Sequence, residues 1–211
     1  MPVSEPQAAI RRKLLAAARL AKAAQAKNGR VLPRAWFVTD PDRTRNLLAI
    51  IPRLPRGWGV IYRHFGAGNR LVVGAALARA CKRRGIVLLV SADPELAAAI
   101  RADGVHWPEA RLRGVRKRSP NFIETASAHS RAGLARAHKL GLDAAILSTV
   151  FPSRSPSASR AMGPLRFRLI AQAASLPVYA LGGVNERNAA QAMTHAAGWA
   201  AIDAVMSGWG D

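Results

Sequence analysis

The stretch Pro177-Val178-Tyr179-Ala180-Leu181-Gly182-Gly183-Val184-Asn185 reads as a short buried strand that stops at two glycines. Its apolar run is too short for a helix, and the glycine pair ends it sharply. Asn185 is a good helix N-cap and residues 186–193 behind it are helix-forming, so the spacing predicts a strand–glycine–helix unit. Two readings of that unit stand. Glycine lets backbone N–H groups approach a ligand and a helix N-terminus favours anions, which together make a phosphate seat at the end of a strand. An ordinary tight turn between strand and helix has the same signature.

Outward from that unit the chain alternates. Strands are predicted over 35–39, 58–62, 86–90, 104–107, 122–126, 144–147, 177–181 and 199–202. The third, Ile86-Val87-Leu88-Leu89-Val90, is apolar at every position, as a parallel strand covered on both faces must be. Helices are predicted over 46–51, over 69–84 with Gly85 closing, after Asp93-Pro94-Glu95, over 130–140 with Gly141 closing, and over 164–174. Residues 108–120 are a basic loop. Residues 148–163 form a long Ser-, Pro- and Arg-rich loop of the kind that is functional or mobile. Only residues 203–211 follow the last strand, so its helix is expected to be truncated. Eight strands separated mostly by helices predict the α/β class and a (β/α)8 TIM barrel. An open doubly wound sheet is the alternative, but Gly66-Ala67-Gly68 lacks the third glycine of a dinucleotide fingerprint.

Residues 1–30 are set apart from a barrel over 31–211. Ser4 and Gln7 form a capping-box pattern, Ile10, Leu14, Leu15 and Ala18 share a face, Arg11, Arg12, Arg19 and Lys22 lie mostly off it, and Asn28-Gly29 is the expected stop. This basic amphipathic helix lacks the long apolar core of a secretory signal. It is expected to pack on the domain, with a transit peptide or surface anchor as the other reading.

The net charge of +20, from 32 basic against 12 acidic residues, favours phosphorylated small molecules or polyanions. Nucleic acid is the less favoured partner, because the basic residues are spread along the chain and aromatics make up only 6%. An arginine- and alanine-rich composition is also what a GC-rich genome gives. The single Cys81 forms no intrachain disulfide and fits a reducing cytoplasmic setting, and no apolar run is long enough to span a membrane.

Several motifs, taken in order, resemble the thiamin phosphate synthase/TenI family of TIM barrels. They are Trp36-Phe37-Val38-Thr39-Asp40, Arg63, Asp103-Gly104-Val105-His106, Ser127-Ala128-His129-Ser130, Phe151-Pro152-Ser153 and Ala180-Leu181-Gly182-Gly183-Val184. The resemblance runs from Trp36 to Val205. It implies chemistry on thiamin precursors: either Mg²⁺-dependent joining of a pyrimidine methyl pyrophosphate to a thiazole phosphate, or isomerisation of a thiazole phosphate carboxylate. The phosphates would be held at the barrel mouth. It nominates Arg63 and His129 as candidate catalytic residues. It nominates Ser127, Ser153, Arg154, Ser155, Gly182 and Gly183 as phosphate and substrate ligands. A homodimer is allowed.

The sequence departs from the family at several of its functional positions. The strand-two glutamine and lysine become Ile61 and Phe65, and the two Mg²⁺ aspartates become Ala92 and Arg111. The loop lysine becomes Pro156, with Arg154 and Arg160 nearby, and the serine after strand eight becomes Asp203. A hard divalent cation wants carboxylate oxygens, so no metal ligand is assigned, and Asp93 is read as the cap of the helix after it. The expectation is weak or absent synthase activity, with a TenI-like tautomerase or a non-catalytic phosphometabolite binder as alternatives. His106 is expected to fill the barrel mouth or interior, and His64 and His138 to lie on the surface.

Overall fold

The computed structural model describes residues 4–44, 46–64, 68–114, 120–155 and 158–210. Phe65, Pro156 and residues 115–119 of the basic segment, all named above, lie outside them. Eight parallel strands close into a barrel in sequence order: β1 (Ala35–Val38), β2 (Gly59–Tyr62), β3 (Val87–Ser91), β4 (Gly104–Trp107), β5 (Ile123–Ala128), β6 (Ala144–Leu147), β7 (Val178–Ala180) and β8 (Gly198–Ala201). The closed order excludes the open sheet. Between the strands run α2 (Leu47–Ile50), α3 (Arg70–Arg84), α4 (Pro94–Ala99), α5 (Arg131–Lys139) and α6 (Pro164–Ala173). Helix α1 (Glu5–Leu20) precedes the barrel and α7 (Asp203–Trp209) ends it.

Two apolar layers hold the barrel. Outward-facing Phe37, Val60, Leu88, Val90 and Leu147 pack under the helices, and inward-facing Trp36, Ile61, Leu89, Ile146 and Tyr179 fill the interior. The strands therefore read as continuous apolar runs. Trp36 pairs in register with Gly59, where any side chain would overlap the indole. At the upper end the inward positions turn polar: Ser91, His106, Thr125 and Ser127.

The N-terminal segment differs from the expectation. Ser4 caps α1 and Leu14, Ala17 and Ala18 are buried, but the helix stops at Leu20 rather than at Asn28-Gly29. Arg11 is not a solvated face residue. Its Nε donates to Gly208 O at 2.6 Å and its guanidinium lies over Trp209, fixing α1 against α7. The chain then crosses the lower end of the barrel as a plug. Ala26 and Leu32 join the interior cluster, and a Gln25–Val31 bridge closes the crossing around Asn28-Gly29. Buried Asp143 accepts from Lys27 N at 2.8 Å and from Glu124 N at 2.7 Å, tying the plug to the strands. Residue 30 lies inside this plug.

Three other segments depart from expectation. Residues Glu109–Gly114 form a short 3-10 helix rather than loop. Strand β5 runs on to Ala128, because Ser127 and Ala128 pair with Ile146 and Leu147. Behind Gly182-Gly183 no α-helix forms; a 3-10 turn over Ala189–Ala192 replaces it. Asn185 and Asn188 use their amides locally: Asn188 Oδ1 accepts from Asn185 N, Asn188 Nδ2 donates to Gly183 O, and Asn185 Oδ1 accepts from Arg187 N. Those bonds satisfy the backbone in a non-helical form.

Candidate active site

The C-terminal ends of the strands surround a cavity of about 770 Å³. All eight residues nominated from sequence line it: Arg63, Ser127, His129, Ser153, Arg154, Ser155, Gly182 and Gly183. Arg43, Ser91, Glu109, Ser148 and Asp203 line it as well.

The glycine pair sits where β7 leaves the barrel, with φ of +92° at Gly182 and +62° at Gly183. Both conformations suit glycine. The pair also carries the loop that follows β6, since Val150 N donates to Leu181 O and Phe151 N to Gly182 O. The first residues of that loop are therefore packed into the barrel top. Ser148, Thr149, Val150 and Phe151 are buried, and Met162 N and Gly163 N return to Thr149 O and Val150 O. Its tip brings Ser153, Arg154 and Ser155 to the mouth, where Ser153 Oγ accepts from Ser155 N at 3.2 Å. Among the described residues nothing accepts a hydrogen bond from the amides of Gly182, Gly183 or Val184.

On the opposite wall charges run in a chain from β2 to α7. Arg63 lies 3.9 Å from Asp40, Asp40 accepts from Arg43 at 3.0 Å, and Arg43 reaches Asp203 at 3.4 Å. Burial raises the Asp40 carboxyl, but hydrogen bonds and charge from Arg43 outweigh this and hold it below the usual range. Burial lowers the Arg63 pKa, Asp40 raises it, and Arg43 lowers it further. Asp203 is 72% exposed, so Arg43 screens its carboxylate only in part.

The floor is neutral. Buried His106 bonds Thr125 through Nδ1 and Ser127 through Nε2, each at 2.9 Å. Burial first, and then the positive charge of Arg63, push its pKa down to about 3. Ser91 Oγ is buried beside it with no hydrogen-bond partner among the described residues. His129, just past β5, is exposed on the rim. Its Nδ1 lies 3.1 Å from Ser148 Oγ, and its backbone N donates to Glu109 Oε2 at 2.8 Å. His138 is exposed. His64 is not a surface residue: it is half-buried, with Nδ1 3.1 Å from Thr39 Oγ1 and its ring stacked on Tyr62. Burial is the main cause of its lowered pKa, with Arg70 lowering it further against Asp40.

The metal positions implied by the resemblance hold no carboxylates facing the mouth. Ala92 follows Ser91 with φ +56°, and Arg111 is exposed on the 3-10 helix. Asp93 Oδ1 accepts from Leu96 N at 2.8 Å, capping α4, while its Oδ2 pairs with Arg70. Among the described residues no three His, Cys, Asp or Glu gather to hold a metal ion, and no helix is long and apolar enough to cross a membrane.

Arg43 and Ser148 escaped sequence reasoning. Each becomes visible only when its strand end is placed beside a neighbour's, although both closely follow predicted strands.

The comparisons with known proteins agree with this geometry. The family described as thiamine monophosphate synthase matches residues 35–205. The thiamine-phosphate synthase of Chloroflexus aurantiacus is 30% identical over 184 residues, covering 82% of this chain and 85% of that protein. The thiamine biosynthesis bifunctional protein ThiED of Geobacter sulfurreducens is 31% identical over 86% of this chain, which spans 38% of that protein's length. A solved thiamine phosphate pyrophosphorylase from Pyrococcus furiosus superposes with a TM-score of 0.69 at 26% identity, covering 82% of this chain and 87% of that one. With a closed parallel barrel, a glycine-ended seventh strand and a family match across nearly the whole barrel, the chain belongs to the thiamine monophosphate synthase family.

Proposed function

We propose that the mouth binds a thiazole phosphate or thiamin phosphate type of ligand, with its phosphate on the amides of Gly182, Gly183 and Val184. The observation that carries this is the cavity-lining run of three backbone donors with no acceptor among the described residues. A phosphate accepts from such donors without rearrangement of the backbone. Arg63 and Arg154 add cationic charge to the same cavity.

Condensation with loss of pyrophosphate needs the charge on the leaving oxygens neutralised. The donor set here does not suit a divalent cation, because Ala92 and Arg111 offer no side-chain oxygen and Asp93 is committed to α4 and Arg70. The expected result with purified protein is calorimetric binding of thiazole phosphate that Mg²⁺ leaves unchanged. Mg²⁺-dependent product formation should run at least roughly 100-fold below that of the Chloroflexus protein assayed beside it. Turnover within about tenfold of that protein would overturn the reading.

Asp203 gives a second test. Its exposed carboxylate shares the cavity with the glycines and opposes a phosphate there. Asp203→Ser is expected to tighten thiazole phosphate binding roughly tenfold at low salt, the gain shrinking as salt is added. Unchanged affinity would place the phosphate elsewhere.

A second reading, isomerisation of a thiazole phosphate through proton transfer by His129, is favoured by the position of that imidazole on the same cavity. A cytoplasmic setting for either activity is part of the same proposal, and the free Cys81 is compatible with it.

A further inference from the structure

The two histidines of the mouth are held differently. His106 has both ring nitrogens taken up by hydroxyls and is buried, so it has no nitrogen left for a ligand. Among the described residues only Nδ1 of the His129 ring is engaged, and all of that engagement comes from one residue. Its Nδ1 lies 3.1 Å from Ser148 Oγ and 3.3 Å from Ser148 O. Ser148 is the first residue past β6 and is nearly buried.

The carbonyl is the informative partner. A carbonyl oxygen only accepts, so its contact with Nδ1 is favourable when that nitrogen carries the proton. With the proton on Nε2 instead, two lone pairs would face each other, and only the Ser148 hydroxyl could compensate by turning to donate. With the proton on Nδ1, carbonyl and hydroxyl both accept from it. The hydrogen bond at one ring nitrogen sets which nitrogen is protonated. The backbone of His129 is held as well, through the bond from its N–H to Glu109 Oε2 at 2.8 Å, which fixes the point from which the imidazole projects.

We infer that Ser148 is a positioning residue: it holds His129 as the Nδ1–H tautomer and presents the Nε2 lone pair to the cavity as a proton acceptor. This rests on the reading of His129 as the proton-transfer group of the mouth. It specifies that His129 enters any reaction as a base at Nε2, and that substrate protons are taken on that side of the ring.

The test is nitrogen-15 NMR of the full chain labelled at histidine, without ligand, at about pH 8.5, where an ordinary imidazole is neutral. His129→Asn assigns the signals. The expected pattern for His129 is a pyrrole-type Nδ1 and a pyridine-type Nε2. In Ser148→Ala one of the two acceptors is lost, and both nitrogens should move toward averaged shifts as the other tautomer becomes populated. The His106 signals, held by Thr125 and Ser127, should stay in place and report that the barrel is intact. A pyridine-type Nδ1 in the unsubstituted chain overturns the inference. So does a His129 pattern that Ser148→Ala leaves unchanged, since the hydroxyl would then contribute nothing. If Ser148→Ala does not fold, the unsubstituted spectrum decides the tautomer, and Ser148→Gly takes the place of the alanine variant. No ligand is present, so failure of phosphate binding at the glycines would not alter this result, nor would its failure alter the binding test.

Discussion

Gly183→Ala is expected to destabilise the protein by about 3 kcal/mol and to abolish ligand binding at the mouth. Two causes add. A φ of +62° is left-handed backbone, which costs an alanine roughly 1–2 kcal/mol. The added Cβ would also overlap Pro152 O and lie 2.7 Å from Phe151 O, both backbone atoms that cannot rotate away. Accommodating it means moving the loop after β6, an overpacking penalty of about 1–3 kcal/mol. Gly182→Ala is also expected to destabilise, because its φ is +92° and its Cβ would lie 2.7 Å from Cγ2 and 3.0 Å from Cα of buried Thr149. Urea unfolding checks the magnitude. A loss of less than about 1 kcal/mol at Gly183 would show that Pro152 can withdraw. The glycines thus have a packing role besides any role toward phosphate. Substituting them tests folding and binding together, which is why Asp203→Ser is the cleaner probe of the seat.

The second large effect is acid lability centred on His106. Its folded-state pKa of about 3 lies well below the ordinary histidine value near 6.5. Between those limits the unfolded chain binds a proton at this position and the folded chain does not. Stability from the neutral imidazole is therefore fully present above about pH 6.5, falls as pH drops below it, and levels off near pH 3. The loss attributable to His106 between pH 7.5 and 5 should be roughly 2 kcal/mol. His64, also lowered, adds a smaller loss of the same sign. The quantity to measure is the difference in slope of unfolding free energy against pH between the protein and His106→Gln. The variant has lower stability at pH 7.5, because it loses the bridge between Thr125 and Ser127, but its curve should be flatter by about one proton over that window. Parallel curves would show that His106 is protonated in the folded state or accessible to water.

The acid response also bears on how the mouth works. A neutral His106 next to Arg63 leaves the floor uncharged, so the cationic character of the site comes from the rim arginines. On the proposed reading, the phosphate would meet the rim arginines rather than the uncharged floor.

The barrel was legible in the sequence because its determinants are local. Parallel strands covered on both faces read as unbroken apolar runs, as in residues 86–90, and Gly85 and Gly141 mark helix ends through their own left-handed backbone. The order of the short motifs along β1, β4, β5 and β7 fixed the family for the same reason, since each motif lies within one strand end. The contacts that give the site its chemistry are not local. The plug is held by Asp143 bonding Lys27, 116 residues away, so Asn28-Gly29 reads as a helix stop although the helix ends at Leu20. The polar bonds of Asn185 and Asn188 outweigh the helical propensity of the residues between them. His129 meets Ser148 only because strand register sets the end of β5 beside the end of β6, and Asp93 is drawn away from the mouth by Arg70 on another helix. Sequence periodicity reports which face of an element is buried. Which side chains then meet across neighbouring strand ends is set by register and barrel closure, and only the tertiary structure decides that.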